Sequence, residues 1–407
     1  MLMTSMKRVL LLSFILATVS CPAASQPGKR VLDASKFDSL QAAFDAVPAN
    51  GGVVYLPPGD YELGSPLIVR TPETRIEGAG ASTRLINKNT EGQPALHIRP
   101  DDYATNQRAR MWRVQIGNFR ISGNEKSGDG LLCQGIQEVF VHGLSVDHNG
   151  GHGINLENCY EDPRVSDSIL TYNAKAGLNI YSGHDIVVNA NHFEENQDAV
   201  RCADSFNLCM NGNNLDDHLR HGVVIENTYG SVLSGNMIEE CNGTAVILDR
   251  DCYGITISAN VIAHELEGGV NLKDAHGCAV SANTFVIVHQ FGVRVGPNSD
   301  RIAITGNSFS NSYMGDGKDK RPAEHKNPMG RDAGEGVLIE DAQHVNITGN
   351  TFTGLSAGAV QAKGKSGKLI ISANIVTDIN RRAKEGKPAF DLGAARSSSI
   401  VKDNLVD

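Results

Sequence analysis

The chain has 407 residues, and its 40% hydrophobic and 20% charged content excludes a disordered chain and a membrane-embedded one. Forty-three glycines and only 5% aromatics indicate a turn-dense, all-β protein rather than a helical bundle. A net charge of −9 argues against nucleic acid as the partner.

The chain opens with Lys7 and Arg8, followed by an apolar run over 9–20 that has signal-peptide length and is too short to span a bilayer. Small residues Ala23, Ala24 and Ser25 suit cleavage before Gln26. Residues 1–25 are therefore read as an export signal and 26–407 as one domain, secreted or periplasmic. Cys21, after Thr18, Val19 and Ser20, loosely fits a lipoprotein box, so a lipid anchor at the envelope is the alternative. No transmembrane segment is expected later. Seven cysteines follow Cys21, an odd number without metal-type spacing. Cys133 and Cys202 fall where other segments carry Ile, Val or Leu, so the cysteines are read as buried apolar residues.

Residues 39–47 predict a short helix. Leu40, Ala43, Phe44 and Val47 share one face, and Asp38 or Ser39 can cap it. A strand and sharp turn follow over 51–61. An excursion over 99–113 carries the only tryptophan, Trp112. From there the chain repeats. A small residue followed by an alternating strand opens GINLEN, GLNIYS, AVRCAD, GVVIEN and AVILDR, and continues through GVLIED. From GLNIYS on, Asn-x-apolar follows, at Asn191, Asn213, Asn236, Asn260, Asn283, Asn307, Asn350 and Asn374. The steps are 22, 23, 24, 23, 24, 43 and 24, so one repeat holds an insertion, placed at 313–335. Short strands at this period predict a parallel β-solenoid of three-strand coils, ten or more, with the 39–47 helix capping its N-terminal end. The recurring Asn is expected at a turn, bonded to its equivalents up the stack.

The segment QAAFDAVPANGGVVYLPPGDYEL, followed by these coils, resembles the right-handed parallel β-helix proteins of the pectate-lyase-like superfamily over about residues 33–407. The resemblance implies an all-β parallel β-helix and a carbohydrate partner bound along the first strands of successive coils. It leaves several activities open: polysaccharide lyase, glycoside hydrolase, uronan C5-epimerase, or a non-catalytic carbohydrate-binding or envelope repeat protein.

On that alignment, ionisable and amide residues gather between Asp129 and Glu226. Asp129, His152, Lys175, Asp198 and His221 precede the strands. Asn155, Asn179 and Arg201 form a first outward column, and Gln134, Glu157, Tyr181 and Glu226 a second. Gly-His-Gly at 151–153 resembles a polygalacturonase strand start, but the Asp pair expected one coil earlier is reduced to Asp129 alone. β-Elimination on an acidic polysaccharide is therefore favoured. It needs a cation for the substrate carboxylate and a base for the C5 proton. Arg201 is assigned the anion. His152, Lys175, Tyr181 and His221, with Asp198, are assigned the proton-transfer centre. Asp129, Asn155, Asn179, Glu226 and Trp112 are assigned substrate contacts. In the third strands, Glu194-Glu195, Asp216-Asp217 and Glu239-Glu240 stack acidic pairs in register. Such stacking repels unless neutralised, so Glu194, Asp216, Asp217 and Glu239 are read as candidate ligands for calcium, with a plain acidic surface as the alternative.

Overall fold

The structure, a computed structural model, describes residues 30–310, 334–383 and 385–407. The export signal with Cys21, and most of the 313–335 insertion, lie outside the described residues.

The chain winds as a solenoid of about 14 coils whose strands form three long parallel sheets of 17, 14 and 13 strands. We call them sheets I, II and III. One turn illustrates the order: Ala176–Tyr181 lies in sheet III, Val187–Asn189 in sheet I and His192–Glu194 in sheet II. Coils register one-to-one, so Leu178 pairs with Val200 and then Val223. The interior is a continuous apolar column. Phe285, Phe309 and Phe352 stack with centroids 4.6 and 4.7 Å apart, although the insertion separates the last two in sequence.

Each repeat marker has a packing cause. Where the small residue opening a sheet III strand is glycine, an added Cβ would meet the next coil's backbone. The nearest carbonyl would be 2.6 Å away at Gly153 and 2.5 Å at Gly222. The Asn marker sits at the corner between sheets I and II, buried inward. Asn191 Nδ2 donates to Asn213 Oδ1 at 3.0 Å, Asn213 to Asn236 at 2.9 Å, and the ladder continues through Asn374 to Asn404. Each Asn also donates to a backbone carbonyl, as Asn213 does to Val188, and accepts a backbone N–H. The corner's polar groups are thereby satisfied without water, each bond being worth about 1 kcal/mol net.

The expected cap is present as the helix Leu40–Asp45, with the Ser39 side chain accepting from the Ala42 amide. Ala43, Phe44 and Val47 close the apolar column. Among the described residues no cysteine forms a disulfide, and six of the seven are buried. Burial pushes the Cys159 thiol up to about 12, so these are apolar fillers. The early excursion is shorter than expected. It leaves after Leu96–Ile98 and ends at Met111, because Met111–Gly117 is already a strand of sheet I. No helix among the described residues is long and apolar enough to cross a membrane.

Candidate active site

The two outward columns predicted for the first strands are the registered columns of sheet III. Leu132, Asn155, Asn179, Arg201 and Val224 lie side by side, as do Gln134, Glu157, Tyr181, Ala203 and Glu226. Two clusters of polar side chains occupy this face.

The first surrounds a groove of about 460 Å³ lined by Asp129, His152, Asn155, Glu157, Lys175 and Asn179. Asp129, at the corner before its strand, accepts the His152 backbone N–H at 2.7 Å and Asn155 Nδ2 at 2.9 Å. The same Nδ2 donates its other hydrogen to Glu157 Oε1 at 3.0 Å. One amide nitrogen therefore holds two carboxylates with their oxygens within about 6 Å of each other. Asn155 is itself oriented by Asn179, whose Nδ2 donates to Asn155 Oδ1 at 2.9 Å. On its far side Glu157 accepts from Gln134 Nε2 at 2.6 Å, and the Gln134 oxygen faces His97 Nε2 at 2.8 Å. Burial lowers the His97 pKa, its largest influence, so His97 is neutral and donates from Nε2 to the Gln134 oxygen. Lys175 is exposed at the rim and has no carboxylate partner within ion-pair distance among the described residues. Tyr181 pairs with Glu157 in register, with its ring half exposed.

The second cluster centres on Asp198, which is fully buried. It accepts from Arg220 through both Nε, at 2.9 Å, and Nη2, from Arg201 Nη1 at 3.2 Å and from the His221 backbone at 3.1 Å. Burial alone would raise the Asp198 pKa. The donors, Arg220 foremost, outweigh it and hold the carboxyl below its ordinary value. Arg201 also donates to Glu226 at 2.8 Å. The guanidinium expected to receive a substrate anion is thus already matched by two carboxylates, and Glu226 is its partner rather than an open contact.

The clusters share a local device. A corner aspartate accepts the N–H of a histidine one coil on, and that histidine's Nδ1 accepts a backbone N–H one coil further. His152 Nδ1 accepts from Ala176 at 3.2 Å, and His221 Nδ1 from Thr244 at 3.0 Å. A ring nitrogen that accepts an N–H carries no proton, so each neutral ring holds its proton on Nε2. Burial is the largest influence on both histidines and lowers their pKa, against the pull of Asp129 and Asp198. The geometry therefore fits His152 and His221 to donate a hydrogen bond from Nε2, in place of the proton-transfer role assigned from sequence.

Trp112 is not brought to this face. Met111 points into the core, so alternation turns Trp112 outward on sheet I, where it is 40% exposed with the Arg113 guanidinium 5.4 Å from its ring. The excursion instead sends Tyr103 to the edge of sheet III, where its hydroxyl accepts from Asn158 at 2.7 Å. Glu157, Gln134 and His97 complete the first cluster without having been assigned site roles from the sequence. Gln134 and Glu157 stand in the second outward column, but the bridge through Asn155 crosses columns, and His97 lies outside the columns read from the sequence.

The acidic pairs lie on sheet II. Glu194, Asp216 and Glu239 register in one outward column. Glu195, Asp217 and Glu240 follow in left-handed conformation at the corner, with φ of 48°, 53° and 57°. Carboxylate oxygens of Asp216, Asp217 and Glu240 lie within 4.8 Å of one another, as do ligand atoms of Glu239, Glu240 and His264. Oxygen donors so placed suit a hard cation, and the sets add Glu240 and His264 to the sequence reading while leaving Glu194 outside. Burial, then Asp216 and Glu240, push Asp217 up to about 6.

Two family models match parts of the chain: "Rhamnogalacturonase A/epimerase, pectate lyase-like" over residues 33–224 and "Periplasmic copper-binding protein (NosD)" over 165–319. Among solved structures, PfbA, a surface adhesin of Streptococcus pneumoniae, superposes with TM-score 0.63 at 14% identity, covering 82% of this chain and 93% of that one. DFA-IIIase from Arthrobacter chlorophenolicus A6 gives TM-score 0.54 at 13% identity, covering 88% and 90%. The mannuronan C-5 epimerase AlgE6 A-module of Azotobacter vinelandii gives 0.50 at 16%, covering 92% and 99%. These are likenesses of fold.

Proposed function

We propose that this chain, a right-handed parallel β-helix of the pectate-lyase-like superfamily, is a glycoside hydrolase that cleaves a polysaccharide bound along sheet III. The observation that carries this reading is the pair Asp129 and Glu157, held on either side of Asn155 Nδ2. Paired carboxylates at this separation protonate the glycosidic oxygen with one member and attack the anomeric carbon with the other. Asp129, anchored by a backbone N–H, is the fixed member and serves as nucleophile. Glu157 serves as acid and base. Its neighbour Gln134 can present its NH₂ or, after the amide rotates, its oxygen, so Glu157 is held with or without its proton. His152 Nε2–H and Asn179 then supply neutral donors for sugar hydroxyls.

The matched rhamnogalacturonase and epimerase model supports a uronate-containing polysaccharide. A second reading, β-elimination, is favoured by Lys175, whose amine stands at the groove unclaimed by a carboxylate among the described residues and, in its neutral form, can take a C5 proton. Incubation with polygalacturonate and rhamnogalacturonan separates the two. New reducing ends without enoate absorbance are expected. Enoate absorbance would give the reaction to Lys175 and overturn hydrolysis. Export to the periplasm or beyond is part of the proposal, in keeping with the periplasmic description of the second matching family.

A further inference from the structure

A larger groove, about 710 Å³, lies around the corner from the candidate active site, on the sheet II side. Its floor is an aromatic platform. His148 and Tyr172 occupy equivalent corner positions on successive coils, both in left-handed conformation, with φ of 55° and 56°. Their rings stack 5.1 Å apart at 18°. Tyr172 is 43% exposed, and His148 is turned into the stack by Asp147, which meets its Nδ1 at 2.8 Å. The left-handed corner recurs on later coils, but an exposed aromatic pair gains little from burial, so folding alone does not account for the stacked rings. On the next three coils the equivalent positions carry Glu195, Asp217 and Glu240. The platform is therefore confined to the coils that carry His152 and Lys175.

The two grooves are back to back. Asn124, Asn149 and Ala174 line the one on sheet II; Ser127, Gly150 and Lys175, one to three residues further along the same turns, line the one on sheet III. The platform's rim carries both signs of charge. Arg120 Nη2 lies 3.9 Å from Asp147, and Arg84 Nε donates to Ser122 at 3.2 Å. A mixed rim matches hydroxyl groups better than an ion of either sign, and an aromatic face takes the apolar face of a pyranose.

We propose that this groove is a second carbohydrate-binding site, in which a sugar of the polysaccharide chain stacks on His148 and Tyr172 while the chain crosses the corner into the sheet III groove. The proposal rests on the carbohydrate reading above but not on the reaction assigned to it. It is tested by titrating polygalacturonate and rhamnogalacturonan, each as polymer and as disaccharide, into the full chain and into Tyr172→Ala and Tyr172→Phe, with turnover followed in parallel. Polymer affinity is expected to fall about tenfold in Tyr172→Ala and to be kept in Tyr172→Phe, with disaccharide affinity unchanged in both. Equal polymer affinity in wild type and Tyr172→Ala, or no binding of either polymer by wild type, would overturn the second site. Polymer binding that depends on Tyr172, without cleavage, would uphold it while overturning the hydrolase assignment.

Discussion

Asn155 is the residue on which the site depends, because one amide nitrogen positions two carboxylates that belong to different coils and different columns. Removing either acid removes a proton donor or a nucleophile without disturbing the core. Asp129→Asn and Glu157→Gln are each expected to lower kcat by about 10³-fold with a melting temperature within a few degrees of wild type, read by steady-state kinetics and calorimetry. Asp198 behaves oppositely. It is buried beneath two partly exposed arginines, so Asp198→Asn is expected to cost about 3 kcal/mol of stability, read by urea denaturation. The sign with pH follows from its lowered pKa. The stabilisation is complete above the ordinary value of 3.8 and is lost as pH falls through the folded value, so the gap between wild type and variant closes only under acid conditions. Little of this was legible in the sequence. Aligning like positions put Asp129 beside Asp198, three coils away, and passed over Glu157, because the bridging contact is a side chain reaching across columns. The histidine tautomers were equally hidden, since they are set by backbone N–H groups of Ala176 and Thr244 that become neighbours only after coiling.

The elements were far more legible, because each marker recurs with one physical cause. Asn-x-apolar announces a corner ladder, and a small residue before a strand announces close approach of the next coil's carbonyl. The acidic stripe of sheet II shows both sides of this. Its register was readable, but Glu240 and His264 join it only through the left-handed corner that follows the strand. The stripe carries a defined pH signature. Asp217 has its pKa raised from 3.8 to about 6, so folding favours its protonated form. The cost is absent below pH 3.8, grows as pH rises, and is complete above about 6. In metal-free buffer Asp216→Asn/Asp217→Asn is therefore expected to melt higher than wild type at pH 7, with the gain fading at pH 4. A cation bridging Asp216, Asp217 and Glu240 is expected to raise the wild-type midpoint and leave the variant unmoved. Melts with calcium and with chelator read both effects.

At the scale of the whole molecule, the asparagine ladder ties each coil to the next. A central Asn serves four groups: Asn236 accepts the Asn213 N–H and Nδ2, and donates to Asn260 Oδ1 and to the Met210 carbonyl. Asn236→Ala leaves these buried groups unpaired and is expected to cost about 3 kcal/mol in urea denaturation, against about 1 kcal/mol for Asn404→Ala at the open end. The same stacking gives the molecule a long, rigid face on which Asp129, Asn155 and Glu157 are fixed relative to a bound chain. That rigidity makes the stereochemistry of cleavage the most direct test of the account. Carboxylate oxygens within about 6 Å of each other leave no room for a water between Asp129 and the anomeric carbon, so the reaction proceeds through a covalent intermediate on Asp129. Proton NMR of the first products from polygalacturonate or rhamnogalacturonan is predicted to show reducing ends that retain the anomeric configuration of the cleaved bond. Inverted anomers, or the olefinic signal of an unsaturated uronide, would contradict it.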